Sequence, residues 1–428
     1  VRGATLQAAQ GRLEQHWWLA LKDPELDRLE LSALAANADV AATRARLRES
    51  RAQLRAQQAD LRPNTGTSAV YLHTHGGTEA LGGLNSDLNL YTVGFDATWE
   101  IDLFGAQRRT VESAAAAFQA RQADVADAMV SLTADVAQAY ISLRDVQHRA
   151  ALAQASVDLQ ARVLDLTRRR QEGGTASTLD VERLNTQVEQ TRADLVPLKG
   201  QIDEQLDRLA ILTGRAPGEL DADLAPVGPL PLPPETLAVG DPASLIRRRP
   251  DVRAAERRIA AQNALIGAHM ADYFPKVELL GNIGFVSTDV GQLLNGNALA
   301  AVAAPVLQWK PFDFGRTRAA VDQARAGHDE ALANYRSTVE KALGDAETSL
   351  SRYGTQQDDV HVLQRVMASA DHAARLQQQR YDGGTATLID TLDTERQRVS
   401  AEQALAQAEA GLTEDFVALQ KSLGLGWE

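Results

Sequence analysis

Apolar residues recur at every seventh position through long stretches of this chain. Val40, Leu47, Leu54 and Leu61 form one such series and predict a first helix over about residues 24–61, stopped by Pro63. Two interleaved series, Val111, Phe118, Val125, Leu132 and Ala139 with Met129, Val136, Leu143, Ala150, Val157 and Leu164, predict a second helix over about residues 108–171. At 1.5 Å per residue it is about 95 Å long, far beyond an ordinary domain. A third helix, over about residues 178–213, carries Val181, Val188, Leu195, Ile202 and Leu209 and is about 55 Å long. The seam of the long helix demands a partner along its whole length. No short helix suffices, but the first and third laid end to end reach about 110 Å and do.

Between the first two helices the period changes from helical to twofold. Over residues 90–102, Tyr91, Val93, Phe95, Ala97, Trp99 and Ile101 alternate with Thr92, Gly94, Asp96, Thr98 and Glu100. This matches a tilted outer-membrane strand with Tyr91, Phe95 and Trp99 toward lipid and Asp96 and Glu100 toward a lumen. Partner strands are expected near residues 68–74, 277–287 and 299–309, the last containing Pro305. One such strand fits an ordinary half-buried hairpin equally well. Two hairpins at the same place between long helices favour the membrane. Four strands cannot close a barrel, and lipid does not tolerate an open sheet edge. Two copies would give a filled eight-stranded barrel; three would give twelve strands and a bore.

The chain is also written twice. Gly173-Gly174-Thr175-Ala176 with Leu179-Asp180 returns as Gly383-Gly384-Thr385-Ala386 with Ile389-Asp390, while Val40, Leu47, Leu54, Leu61 and Pro63 return as Val252, Ile259, Ile266, Tyr273 and Pro275. Each half therefore reads helix, hairpin, very long helix, glycine turn, helix. The expected division is a first repeat over 1–214 with a hairpin at about 66–103, a linker over 215–241, and a second repeat over 242–428 with a hairpin at about 276–312. Pro226, Pro229, Pro231, Pro233 and Pro234 make the linker an ordered strap.

Composition removes other classes. The 428 residues include no cysteine, so disulfides, thiolate metal sites and cysteine nucleophiles are excluded. A formal charge of −13 argues against nucleic acid, and Arg168-Arg169-Arg170 and Arg247-Arg248-Arg249 are expected to be solvated helix positions. No apolar run is long enough for a membrane helix, and no signal-peptide pattern stands at Val1. His73-Thr74-His75 puts two imidazoles on one strand face and could hold a metal, but an ordinary hairpin near the cell surface is the plainer reading. No metal site, cofactor or catalytic constellation is assigned. The chain does not read as an enzyme.

Trp18 with Asp23-Pro24-Glu25-Leu26, Trp99-Glu100-Ile101-Asp102-Leu103-Phe104-Gly105, Leu245-Ile246-Arg247-Arg248-Arg249-Pro250-Asp251-Val252 and Tyr273-Phe274-Pro275 together resemble the TolC-like outer-membrane efflux channels, in their OprM/NodT branch. The resemblance covers nearly the whole chain. It implies a mainly α protein with membrane β, a homotrimer whose twelve strands form a barrel continuous with an α-helical barrel across the periplasm, closed at its far end. It places the linker and the C-terminal segment around the tunnel's equator. The implied function is a passive outer-membrane exit duct of a tripartite pump for drugs or other small toxic compounds, with a periplasmic adaptor and a proton-driven inner-membrane transporter of the RND type as partners. A type I secretion outlet of the same fold is the near alternative. A soluble coiled-coil scaffold is the alternative of another class.

By the same resemblance, Gly173, Gly174, Thr175, Gly383, Gly384 and Thr385 form the adaptor-contacting tip, besides simply reversing the chain. Asp390 and Asp393 would supply acidic rings at the constriction, and Tyr381 and Asp180 would bond neighbouring hairpins to hold it shut. The chain departs from the branch in two places. It shows no lipidated N-terminal cysteine, and Ala386 stands where relatives carry an arginine that braces the closed tip.

Overall fold

The computed structural model describes residues 7–8, 16–75, 87–234, 238–239 and 248–426. Its helices are α1 (Pro24–Ala36), α2 (Ala38–Ala59), α3 (Ala106–Glu172), α4 (Thr178–Leu212), the short α5 (Asp221–Leu224), α6 (Pro250–Ala271), α7 (Arg316–Asp382) and α8 (Leu388–Ser422). Its main strands are β1 (Asn64–His75), β2 (Asp87–Ile101), β3 (Lys276–Ser287) and β4 (Leu299–Gln308). The two long helices, α3 and α7, each have 67 residues, and α4 and α8 each have 35. Duplication is thus visible in length as well as in sequence.

Two helical details, at Asn37 and Arg249, differ from the sequence reading, while the helix expected over about 178–213 holds through a proline. The first helix is broken at Asn37, whose side-chain oxygen accepts from the backbone N–H groups of Asp39 and Val40 at 2.9 and 3.1 Å, capping α2. Its amide donates to the Leu212 carbonyl at 3.0 Å, so the same side chain ties the end of α4. Pro197 lies inside α4, which continues through it although the Ala193 carbonyl loses its donor. Arg249 is not a solvated helix residue. It precedes α6 with a largely buried side chain, pairs with Asp251 at 2.8 Å and donates to the Ser422 carbonyl at 2.8 Å. An exposed-arginine reading failed because a C-terminal helix end supplies the acceptor. Arg169 does stay exposed, paired with Asp165. The Leu245-Ile246-Arg247 part of the motif lies outside the described residues, as do 235–237 and 240–241 of the linker.

The chain divides into two compact units, each discontinuous in sequence: residues 1–44, 123–253 and 338–428 in one, 45–122 and 254–337 in the other. The core of the first is built on Trp17, Trp18, Leu26, Leu29, Leu132, Tyr140, Ile141, Leu209, Leu220, Leu224, Tyr353 and Phe416, all buried. Tyr140 donates to Asp23 Oδ2 at 2.8 Å, so the capping carboxylate of α1 is also the anchor of α3. The proline strap is held by its carbonyls. Pro226 accepts from Arg144 Nη1 at 2.7 Å, Leu224 from Gln147 Nε2 at 2.7 Å and Pro231 from Thr413 Oγ1 at 2.9 Å. A proline-rich run leaves many carbonyls without strand or helix partners, and here side chains of α3 and α8 satisfy them.

The second unit holds an antiparallel sheet in the order β1-β2-β3-β4. Register places Phe95 between Thr67 and Ile283, and Asp96 between Gly66 and Asn282. Because side chains alternate, Val93, Phe95, Ala97, Trp99, Phe285, Ile283, Leu279, Leu299, Ala301 and Leu307 share one face. Asp96, Thr98, Glu100, Glu278 and Asn282 share the other with Val70, Leu72, Leu280, Val302 and Val306, so that face is mixed and carries the sheet's acids. No described helix is long and apolar enough to cross a membrane.

Candidate functional site

The two helix reversals are built alike. At the end of α3 the Gly173 N–H donates to Arg169, Gly174 to Gln171, and Thr175 to Arg170 through both its N–H (2.8 Å) and hydroxyl (3.0 Å). At the end of α7, Gly383 donates to Gln379, Gly384 to Tyr381, and Thr385 to Arg380 at the same two distances. Gly174 and Gly384 have φ of +76° and +72°, a region where a side chain is disfavoured. Each turn then ends in a reciprocal cap. Ser177 Oγ lies 2.7 Å from Asp180 Oδ2 and accepts the Asp180 N–H, and Thr387 and Asp390 repeat the arrangement. The Ser177 hydroxyl and then its backbone N–H hold the Asp180 carboxyl below its ordinary pKa.

The residues expected at the gate are engaged locally. Asp390 is committed to its cap, while Asp393 accepts from Arg396 Nη2 at 2.9 Å and Gln397 Nε2 at 3.0 Å, both on its own helix. The Arg396 partner was missed by the sequence reading, although its i,i+3 spacing was there to be seen. Leu388 and Leu392, in the first turns of α8, pack on Val163, Leu164, Val181, Leu184 and Val188 of α3 and α4. Beyond them an open groove of about 800 Å³ is lined by Arg183, Gln187, Asp194, Asp393 and Arg396 among others. No hydrogen bond joins Tyr381 to Asp180 within the chain among the described residues. His73 Nδ1 is taken up by Asn89 Oδ1 at 2.8 Å, which also accepts from the Tyr71 hydroxyl.

A sheet apolar on one face, inserted between helices of up to 67 residues, fits the class of outer-membrane channel proteins. Comparison with known proteins agrees. The outer membrane efflux protein family matches residues 31–215 and 242–425. The chain is 30% identical over 424 residues to the pyoverdine export outer membrane protein OpmQ of Pseudomonas aeruginosa, covering 97% of this chain and 88% of that protein. It is 29% identical over 433 residues to the toluene efflux pump outer membrane protein TtgF of Pseudomonas putida, covering 100% and 89%. The solved outer-membrane channel OprN superposes with a TM-score of 0.91 at 36% identity, covering 99% of this chain and 97% of that one. This chain belongs to the outer membrane efflux protein family. It is an outer-membrane exit duct, of a family of channels rather than enzymes, and the soluble-scaffold alternative falls away.

Proposed function

We propose that three copies of the chain assemble into a passive duct, that its periplasmic end engages an adaptor and through it a proton-driven inner-membrane transporter of the RND type, and that small toxic compounds are its cargo. The observation that carries this is the sheet: four strands with one apolar face. Such a sheet is untenable in lipid until its two edges are closed by further copies. Asp96 and Glu100 then line the bore. The names of OpmQ and TtgF, which specify pyoverdine export and toluene efflux, support small molecules over secreted proteins as cargo. Tip geometry supports adaptor contact around Gly173, Gly174, Thr175, Gly383, Gly384 and Thr385, where the exposed surface is small and doubled. Asp390, Asp393, Tyr381 and Asp180 are the proposed gate.

The test is a deletion strain complemented with wild type or with Gly173→Trp plus Gly383→Trp. These glycines lack the positive φ of their neighbours, so bulk is added there without forcing a left-handed residue. The tip variant should assemble as a trimer but fail to restore resistance to solvents and drugs. Full resistance would remove the tip from the adaptor interface.

A further inference from the structure

The internal duplication predicts contacts that a single chain does not contain. Adding 212 to a residue of β1 and 210 to a residue of β2 gives its counterpart in β3 and β4, and the structure obeys both offsets together. The pair Asn64↔Thr98 becomes Lys276↔Gln308, as observed. The bond from Trp99 Nε1 to the Leu61 carbonyl becomes that from Trp309 Nε1 to Tyr273, also observed. The turn by which Arg62 N–H reaches Ala59 becomes that by which Phe274 N–H reaches Ala271. Arg62 therefore occupies the backbone place of Phe274.

Within the chain, the seam between the halves pairs β2 with β3. Beside that seam Phe104 stacks on Phe274, centroids 4.6 Å apart and planes within 12°. The same offsets carry Phe104 to Phe314. That ring is 97% exposed, although the backbone holds it in place at φ +55°, with Asp313 accepting from the N–H groups of Gly315 and Thr317 on the far side of the turn. Arg62, the counterpart of Phe274, is exposed and has no ion pair among the described residues. A bulky residue at positive φ is costly and persists only where its surroundings impose it. The turn presents an aromatic face with nothing on it.

Resting on the trimer reading above, we infer that Phe314 of one copy stacks on the Arg62 guanidinium of the next, a cation–π contact in place of the ring–ring contact inside the chain. We further infer that β4 of the first copy pairs with β1 of the second in the register that the internal seam dictates. Asp96↔Asn282 becomes Val306↔Val70, and Gly94↔Gly284 becomes Ala304↔Leu72. Odd residues stay on the apolar face and even residues on the other, so the register continues both faces of the sheet without a slip.

The chain has no cysteine, so engineered thiols report cleanly. Full-length protein in detergent is first sized by light scattering; a monomer there defeats the trimer reading itself. Val70→Cys with Val306→Cys should oxidise to a covalent trimer, several-fold more completely than Ser68→Cys or Leu72→Cys combined with Val306→Cys. A trimer that crosslinks best through a slipped pair, or through none, overturns the register alone. Phe314→Ala, Arg62→Ala and the double variant are then compared by the temperature at which the trimer dissociates. Each single change should lower it, and the double should lower it no further. Additive losses overturn the stacking contact.

Discussion

The indole Nε1 of Trp99 donates to the carbonyl of Leu61 at 3.1 Å, and this one bond fixes the end of β2 against the chain leaving α2. Its duplicate, Trp309 to Tyr273 at 3.2 Å, does the same for β4 and α6. The carbonyl lies in the turn two residues past a helix end, outside helix and sheet ladders, and an indole at a membrane boundary can satisfy it while its ring stays in an apolar setting. Trp99→Phe keeps most of the ring and removes the donor. It should cost about 0.5–1.5 kcal/mol, the net worth of such a bond, and lower the thermal midpoint of the assembled protein. Trp309→Phe should match it, and a difference between the two would show that the halves are not loaded alike.

Where the halves meet, Gly94 opposes Gly284. A methyl group at Gly94 would stand 2.8 Å from the Ile283 carbonyl oxygen, and one at Gly284 would stand 2.5 Å from the Gly94 Cα. Backbone cannot yield as a side-chain tip can. Gly94→Ala and Gly284→Ala should each cost about 1–3 kcal/mol by overpacking and reduce the amount of channel reaching the outer membrane. Gly281→Ala, whose added methyl would lie 3.8 Å from Ala97 Cβ, is the control and should assemble normally.

The two faces of β2 should tolerate charge very differently. Phe95 lies on the apolar face, and Asp96 on the mixed face that carries the acids, where Asn282 Nδ2 donates to it at 2.6 Å. Phe95→Arg should cost about 2–4 kcal/mol if it lies at midplane depth and block membrane assembly. Asp96→Arg should assemble and shift ion selectivity in planar bilayers. Equal yields of the two in outer-membrane fractions would reverse the assignment of the faces.

Much of this is legible in the sequence, and the parts that are not share a cause. Sevenfold series and twofold alternation report what a segment buries, so the long helices, the hairpins and the glycine turns were readable from Val111 to Leu164, from Tyr91 to Ile101 and from Gly173 to Asp180. A break at Asn37 was not, because the apolar series resumes at Val40 as though nothing had intervened, and a capping side chain leaves no trace in periodicity. Arg249 and Asp393 were misjudged or incomplete for a related reason. A charged residue declares its charge but not its partner, which for Arg249 is a carbonyl distant in sequence at Ser422 and for Asp393 a neighbour one turn on. The duplicate tryptophan bonds leave no mark in the sequence, because their acceptors are backbone carbonyls, which every residue carries.

Glu30 is fully buried in α1, and neither of its carboxylate oxygens has a partner among the described residues. Burial first, and the charge of Asp27 second, push its pKa well above the ordinary carboxylate range. The folded state thus holds a proton that the unfolded chain releases, so this residue's contribution to stability is intact below the unfolded pKa and declines as pH rises toward the folded value. Glu30→Gln removes the ionisation. Thermal midpoints measured between about pH 5 and pH 8 should fall less steeply for the variant than for wild type. Parallel curves would mean that Glu30 is compensated in both states.

The gate prediction turns on which acid is free to act. Asp390 is spent on its cap and Asp393 on Arg396 and Gln397, yet both sides of the Asp393–Arg396 pair are about half exposed or more. Exposed pairs of this kind hold weakly, so if the tips of three chains converge as proposed, a multivalent cation there can compete for the carboxylate. Asp390→Asn with Asp393→Asn should weaken block by multivalent cations applied from the periplasmic side, with Asp393→Asn supplying most of the change because Asn keeps the capping geometry at 390. Arg396→Ala should do the opposite and strengthen block, since it releases Asp393. Tyr381→Phe with Asp180→Ala should raise single-channel conductance; because Asp180 also completes a capping box, the Asp180→Ala part costs about 1 kcal/mol of helix end on its own, and Ser177→Ala is the control that loses the cap's hydroxyl while leaving the Asp180 carboxylate and Tyr381 in place. Planar-bilayer recordings decide among these. Unchanged block in the double asparagine variant, or equal conductance gains from Ser177→Ala and from the lock variant, would place the constriction on other residues.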